Sequence, residues 1–119
     1  MSRLLFHVVS GPESPSRAAL ALLVAKTAAS AGHEVDVFFA GDGVLYLRDE
    51  TMDASHGVGL GSVREHFTAL VDAGGRIHAS MMSAKARGID AGVAGEGVTL
   101  SPPDRLVELI TEADKVITY

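Results

Sequence analysis

The chain contains no cysteine and no tryptophan. The first absence excludes disulfides, thiolate metal sites and every mechanism that runs through a thiol. It also fits a reducing, intracellular setting. Aromatic residues are scarce, with four Phe and two Tyr among 119 residues, so a core must come from Ala, Val, Leu and Ile. At 47 % hydrophobic residues there is enough apolar side chain for the layers of a compact α/β domain. A surplus of Lys and Arg is also missing. The formal net charge is −5, which argues against nucleic-acid binding because phosphate neutralisation needs cations. The longest apolar run, Ala18 to Ala25, falls well short of the roughly 20 residues of a membrane-spanning helix. Met1-Ser2-Arg3-Leu4-Leu5-Phe6 is too short for the apolar part of a signal peptide and carries no cleavage site. The expectation is one cytoplasmic domain over residues 1–119, with no membrane partner.

What is present alternates between strand and helix patterns. Leu4 to Val9 is a near-continuous apolar run, as in a parallel strand buried on both faces, and it ends in Ser10-Gly11-Pro12. Ser14-Pro15 reads as an N-cap followed by proline at the first helical position, and the helix stops at Gly32. This helix is apolar almost all round, which predicts a second cover besides the sheet, with a neighbouring subunit as one candidate. Glu34 to Phe39 reads as a second strand, ending in Ala40-Gly41-Asp42-Gly43 and then Val44-Leu45-Tyr46-Leu47. Arg48 to Gly61 has no period and reads as an exposed loop. Ser62-Val63-Arg64-Glu65 is a capping box opening a helix with Val63, Phe67, Leu70 and Val71 on its inner face. A strand over Arg76 to Ala79, a short helix over Ser80 to Arg87, and a strand over Gly97 to Leu100 follow. The last helix starts at Ser101-Pro102-Pro103-Asp104 with Leu106, Val107 and Ile110 facing in, and Lys115 to Tyr119 closes as a strand. The fold class is α/β: an open, three-layer domain with a mainly parallel sheet of about five strands and helices on both faces.

In such a sheet ligands sit beyond the carboxyl ends of the strands. That rule selects Ser10–Ser14, Ala40–Gly43, Ser80–Ser83 and Leu100–Pro103, where helix N-termini favour a small anion. The candidate ligand-binding residues are Ser10, Gly11, Gly41, Asp42, Gly43, Ser80, Met81 and Ser83. Serine before a helix ordinarily serves as an N-cap, the simpler reading for Ser14, Ser62 and Ser101. Two serines on the short helix, Ser80 and Ser83, exceed what capping needs. Met81 and Met82 suit a core or an adaptable pocket equally. Gly57-Val58-Gly59-Leu60-Gly61 follows a loop instead of a strand and has the wrong spacing for a dinucleotide turn. The five histidines lack metal-ligand spacing. His7 and His78 fall in strands, where hydrogen-bonded core histidines are expected, and His56 stands beside Asp53 in the 48–61 segment, within swing of the strand ends. No nucleophile–base pair, metal set or cofactor motif is visible.

Several segments together resemble the DsrE (DsrE/DsrF/TusD-like) family of sulfur-relay proteins. They are the opening strand with Ser10-Gly11-Pro12, Ala31-Gly32-His33-Glu34-Val35, and Phe38-Phe39-Ala40-Gly41-Asp42-Gly43-Val44. Ile77 to Gly88, ending Ser83-Ala84-Lys85-Ala86-Arg87-Gly88, and Glu112-Ala113-Asp114-Lys115-Val116 complete the set. The resemblance implies a Rossmann-like subunit that assembles as trimers or hexamers. It also implies a persulfide-carrying cysteine at the start of the short helix, and this chain has Ser80 there. A hydroxyl does not form a stable hydropersulfide, so position and not activity carries over. The expectation is a non-catalytic homo-oligomer, trimeric in preference to hexameric, binding a small ligand or a protein partner at the strand ends. An enzyme using Ser80 with a nearby base, or a structural subunit of a hetero-oligomeric relay, are the alternatives.

Overall fold

The apolar stretch near the N-terminus forms strand β1 (Arg3–Val8) in a computed structural model that describes residues 1–119. Helix α1 (Pro15–Ser30) follows, with proline in its first turn where no amide partner is needed. It ends at Gly32, whose φ of 94° lets the amides of Gly32 and His33 turn back onto the carbonyls of Ala29 and Ala28, at 3.1 Å each. Next come β2 (Glu34–Phe39), a 3-10 helix (Gly41–Leu47), α2 (Asp49–Ala54), and a small antiparallel hairpin of β3 (His56–Gly57) and β4 (Gly61–Ser62). Then follow α3 (Val63–Asp72), β5 (Arg76–Ser80), α4 (Met81–Ala86), α5 (Ala91–Ala94), β6 (Val98–Ser101), α6 (Pro103–Glu112) and β7 (Lys115–Thr118). No helix is long and apolar enough to cross a membrane.

The five long strands form one all-parallel sheet in the order β6-β5-β2-β1-β7. The chain steps from β1 through β2 and β5 to β6 in one direction. Right-handed crossovers therefore put α1, α3 and α4 on one face. Only the return from β6 to β7 runs backwards, which puts α6 on the other. The core follows this asymmetry. On the α1 side 21 buried residues form one cluster around Phe6, Val8, Leu22, Val37 and Phe39. On the α6 side the buried apolar cluster is only Leu5, Phe38 and Leu109. The expected helices on both faces are present, but one layer is thick and the other is a single helix.

Several local expectations need correction. The second cover of α1 comes from its own chain. α3 packs along it, and the hairpin sits so close that a Cβ on Gly57 would meet the Cβ of Ala19 at 2.6 Å. Leu20 and Val24 stay partly exposed, at 39 % and 38 %. The Arg48–Gly61 segment is not a plain exposed loop: α2 buries Met52, and Arg64 ties α2 to α3 through Asp53 and Asp49 at 2.7 and 2.8 Å. Ser62 caps α3 as expected, accepting the Glu65 amide at 3.3 Å, but the inner face of α3 uses His66 where Val71 was expected. The stripe of α6 that meets the sheet is Leu106, Leu109 and Ala113, which leaves Val107 and Ile110 facing out. Ser14 makes no side-chain cap, and the Ser101 hydroxyl turns to the Thr99 carbonyl instead. Proline supplies the start of both helices, so neither serine is needed there.

A carboxylate stands on the thin side of the sheet. Asp36, in β2, has a side chain only 3 % exposed. It accepts two hydrogen bonds from Arg76 (2.8 and 2.9 Å) and one from His78 Nε2 (2.9 Å), both on β5, and Arg3 of β1 lies 3.5 Å away. Burial alone would raise its pKa. The hydrogen bonds and charges of His78 and Arg76 outweigh this and hold the carboxyl well below the ordinary range. The stability gained is therefore present in full above the unfolded carboxylate value near pH 4 and fades as pH falls below it. Asp36→Asn is expected to cost about 2 kcal/mol at pH 7, because the buried carboxylate that bonds Arg76 twice and His78 once is replaced by a neutral amide. Chemical denaturation of both proteins across pH should show that difference shrinking below about pH 4. A constant difference would assign the loss to packing.

Candidate functional site

The carboxyl ends of β1, β2, β5 and β6 lie side by side, and the loops leaving them are held together by backbone contacts. Gly43 lies against β1 so tightly that a Cβ there would stand 2.2 Å from the Val8 carbonyl oxygen. At Gly11 an added Cβ would stand 2.6 Å from the Asp42 carbonyl oxygen. The loop after β1 and the 3-10 helix after β2 thus cross at a distance only glycine permits. Tyr46, fully buried in that helix, donates its hydroxyl to the Gly11 carbonyl at 2.9 Å. Burial, aided by the charge of Glu13, pushes the Tyr46 phenol up to about 12. The Glu13 carboxylate accepts the Gly11 amide at 2.7 Å. The amide best placed for an anion at this loop is already occupied by the chain's own carboxylate.

Ser80 and Ser83 are joined in one relay. The Ser80 hydroxyl accepts the Ser83 amide at 3.1 Å and so caps α4. The Ser83 hydroxyl accepts the Gly41 amide at 2.9 Å, tying α4 to the end of β2. The second serine that capping left unexplained is therefore a tether between two loops. No His, Asp or Glu is hydrogen-bonded to the Ser80 hydroxyl, the partner an activated serine requires. His78 lies on the same side of β5, but its Nε2 is committed to Asp36.

Two arginines hold the far end of α4. Arg87 reaches Asp42 at 2.9 Å and the Ser83 carbonyl at 3.1 Å. Arg48 donates to the carbonyls of Arg87 and Gly88 at 2.9 and 3.4 Å. Asp42 is therefore half of an exposed ion pair, not a free carboxylate. On the flank of α4 a cavity of about 340 Å³ opens between Met81, Lys85, Ile89, Asp90 and Leu100. Met81 is 45 % exposed and Met82 69 %.

The structure thus brings Gly11, Asp42 and Gly43 into one crossing, and Gly41, Ser80 and Ser83 into one hydrogen-bonded relay. Met81 alone of the eight candidate residues lines the cavity. Ser10 is half-buried, and its amide turns to the Tyr119 carbonyl at 3.4 Å. His56 is exposed in the hairpin, paired in register with Ser62, and its neighbour Asp53 is taken by Arg64. His7 does not fit the expectation of a hydrogen-bonded core histidine: its Nε2 is buried without a partner, and burial lowers its pKa. Glu13, Tyr46, Arg48 and Arg87 were not singled out from the sequence. Isolated charged residues in loops, and a tyrosine inside an apolar run, carry no period that reveals a partner.

An open parallel α/β domain, with a short serine-capped helix beside the ends of its inner strands, is the class that fold and site define. The chain belongs to the DsrE/DsrF-like family, whose model matches residues 3–119. Solved structures with the same fold include the YchN protein of E. coli, at TM-score 0.81 and 16 % identity over the whole of both chains. Another is MTH1491 of Methanobacterium thermoautotrophicum, a protein of unknown function, at 0.75 and 23 % over the whole of both chains. BT1422 of Bacteroides thetaiotaomicron, also of unknown function, matches at 0.75 and 14 % identity, over 99 % of this chain and 95 % of its own. No curated protein matches the chain in sequence. Family membership suggests a role related to sulfur metabolism, and proteins of this family are often oligomeric.

The glycine crossing generates a prediction. Gly43→Ala drives a methyl into the Val8 carbonyl and is expected to cost more than about 2 kcal/mol. Gly97→Ala, which meets nothing within 4 Å, should leave the melting temperature nearly unchanged. Equal melting temperatures for the two variants would refute the crossing as a constraint.

Proposed function

We propose that the chain is a non-transferring subunit of a cytoplasmic DsrE-type homo-oligomer, linked to sulfur metabolism. In this reading a small ligand carrying an anionic group, or the same chemistry on a protein partner, binds beside α4. One observation carries the reading: Ser80 stands at the head of α4 with its hydroxyl committed to the Ser83 amide and no base bonded to it, beside a cavity and two exposed methionines. The strand-end loops are internally satisfied and no activating partner touches the Ser80 hydroxyl, so the groups left open to a ligand lie at the cavity beside α4. That arrangement favours binding over the alternative in which Ser80 attacks a substrate.

A trimer, or two trimers stacked as a hexamer, is the assembly proposed. Support comes from partly exposed apolar side chains on both faces: Leu20, Val24 and Val71 on the thick layer, Val107, Ile110 and Val116 on the thin one. A sheet face covered by a single helix leaves apolar surface that a neighbouring subunit can bury.

Two measurements test the reading. Intact-mass analysis after exposure to a persulfide donor should show no sulfur on the wild-type chain. Ser80→Cys, with its thiol at the helix N-terminus, should gain one sulfur atom per chain. Sulfur on the wild type contradicts the reading, and a Ser80→Cys variant that stays bare removes the link to sulfur handling at this position. Native mass spectrometry at micromolar concentration should give a trimer or a hexamer, and a monomer would refute the assembly.

A further inference from the structure

The cavity beside α4 has a composition that narrows its ligand. Its apolar part is made by Met81 at the start of α4, Ile89 in the following turn and Leu100 in β6. Ile89 is 2 % exposed and Leu100 partly buried, so this part is fixed by the core, whereas Met81 is an exposed wall of an adaptable side-chain type. Two charges border it. The exposed ammonium of Lys85 makes no ion pair and no side-chain hydrogen bond within the chain. Asp90 uses one carboxylate oxygen, Oδ1, to cap α5 by accepting the Val93 amide at 2.9 Å. Its other oxygen has no partner within the chain, and Asp90 and Lys85 do not pair with each other. An apolar pocket with an unmatched ammonium and a half-used carboxylate at its rim is complementary to a dipole, not to a net charge.

We infer that this cavity is a binding site for a small zwitterion with an apolar side chain, of the α-amino-acid type. The ligand's carboxylate would face Lys85, its ammonium would face Asp90, and its side chain would lie between Met81, Ile89 and Leu100. A simple carboxylate satisfies Lys85 but brings a like charge to Asp90. A simple amine does the reverse. The volume of about 340 Å³ is at the small end of ligand sites and is enough for a single amino acid. The site deepens the reading above by naming the ligand class at α4, and it rests on that reading.

The probes that separate these cases are L-norleucine, hexanoate and n-pentylamine, which offer both charges, the anion alone and the cation alone on similar chains. Each is titrated into the isotope-labelled oligomer, and the backbone amide signals of Met81, Lys85, Ile89, Asp90 and Leu100 are followed by NMR. Norleucine is expected to shift these signals saturably, and the other two to bind about tenfold more weakly. Lys85→Met and Asp90→Asn should each weaken norleucine binding about three- to tenfold. Asparagine retains the α5 cap, so a loss there reports the charge and not unfolding. Hexanoate or pentylamine binding as well as norleucine overturns the zwitterion assignment, as does the absence of saturable shifts with norleucine. Wild-type protein that takes up no sulfur and forms the expected oligomer, yet fails this titration, loses only the ligand assignment. Sulfur uptake by the wild type would sink the broader reading whatever the titration gives.

Discussion

Asp36 sits in the middle strand of the sheet, nearly sealed from water, and side chains from both neighbouring strands meet at its carboxylate. Arg76 and His78 reach it from β5, Arg3 reaches it from β1, and Arg3 also contacts Glu112 at the end of α6 at 2.9 Å. A buried carboxylate with one cation is often no better than a hydrophobic pair, because desolvation consumes the Coulomb gain. Here several donors share the cost. Register is also at stake: one residue of slip in β2 would turn Asp36 into the thick core and bring Val35 or Val37 to the arginines. The ion cluster therefore specifies how β1, β2 and β5 align as much as it stabilises them.

Alignment of those strands decides what happens at their other ends. With β2 and β5 in register, Gly41 and Ser83 come within hydrogen-bond distance and α4 is tethered at its head. With β1 and β2 in register, the loop of Gly11 meets the 3-10 helix at Asp42 and Gly43. The tail of α4 is then fixed by Arg87 and Arg48. A six-residue helix has little stability of its own, since nucleation costs more than so few hydrogen bonds return. It persists because its head accepts the Gly41 amide through Ser83, and its tail is held by Asp42 and Arg48 of the segment that follows β2. The site is thus a consequence of the strand order, transmitted through glycine contacts and a serine relay.

Much of this architecture was legible in the sequence. Proline in the first turn of α1, glycine after its end, the Ser62–Glu65 pattern and the apolar strand runs are local signals, and local signals survive without tertiary knowledge. The four strand-end loops followed from topology alone. What escaped detection depends on partners distant in the chain. Asp36 reads as an ordinary polar residue in an alternating strand until Arg76 and His78 are placed beside it. Tyr46 lies in an apolar run with no hint that its hydroxyl reaches Gly11. The 48–61 segment buries Met52 and Ser55 and little else, too few inward residues to set a period. Val107 and Ile110 were misplaced because three apolar residues in one turn allow two possible stripes, and only the position of Leu5 and Phe38 selects Leu106 and Leu109.

A serine, and not a cysteine, at the head of α4 has consequences beyond the absence of thiol chemistry. At a helix head a thiolate is stabilised as an anion and exposed to partners. A serine hydroxyl in the same place accepts the Ser83 amide and becomes part of the framework. The amides of Gly11 and Gly41 are likewise taken by Glu13 and Ser83, so the strand-end loops offer few free donors to an incoming anion. Unmatched chemistry remains on the flank of α4, where Met81, Lys85 and Asp90 border a cavity that the folded chain does not fill. Recognition is strongest where groups are unsatisfied and weakest where they are already paired, because a ligand gains little by displacing an internal hydrogen bond. In this chain that logic favours the side of α4 over its head as the place of the proposed site.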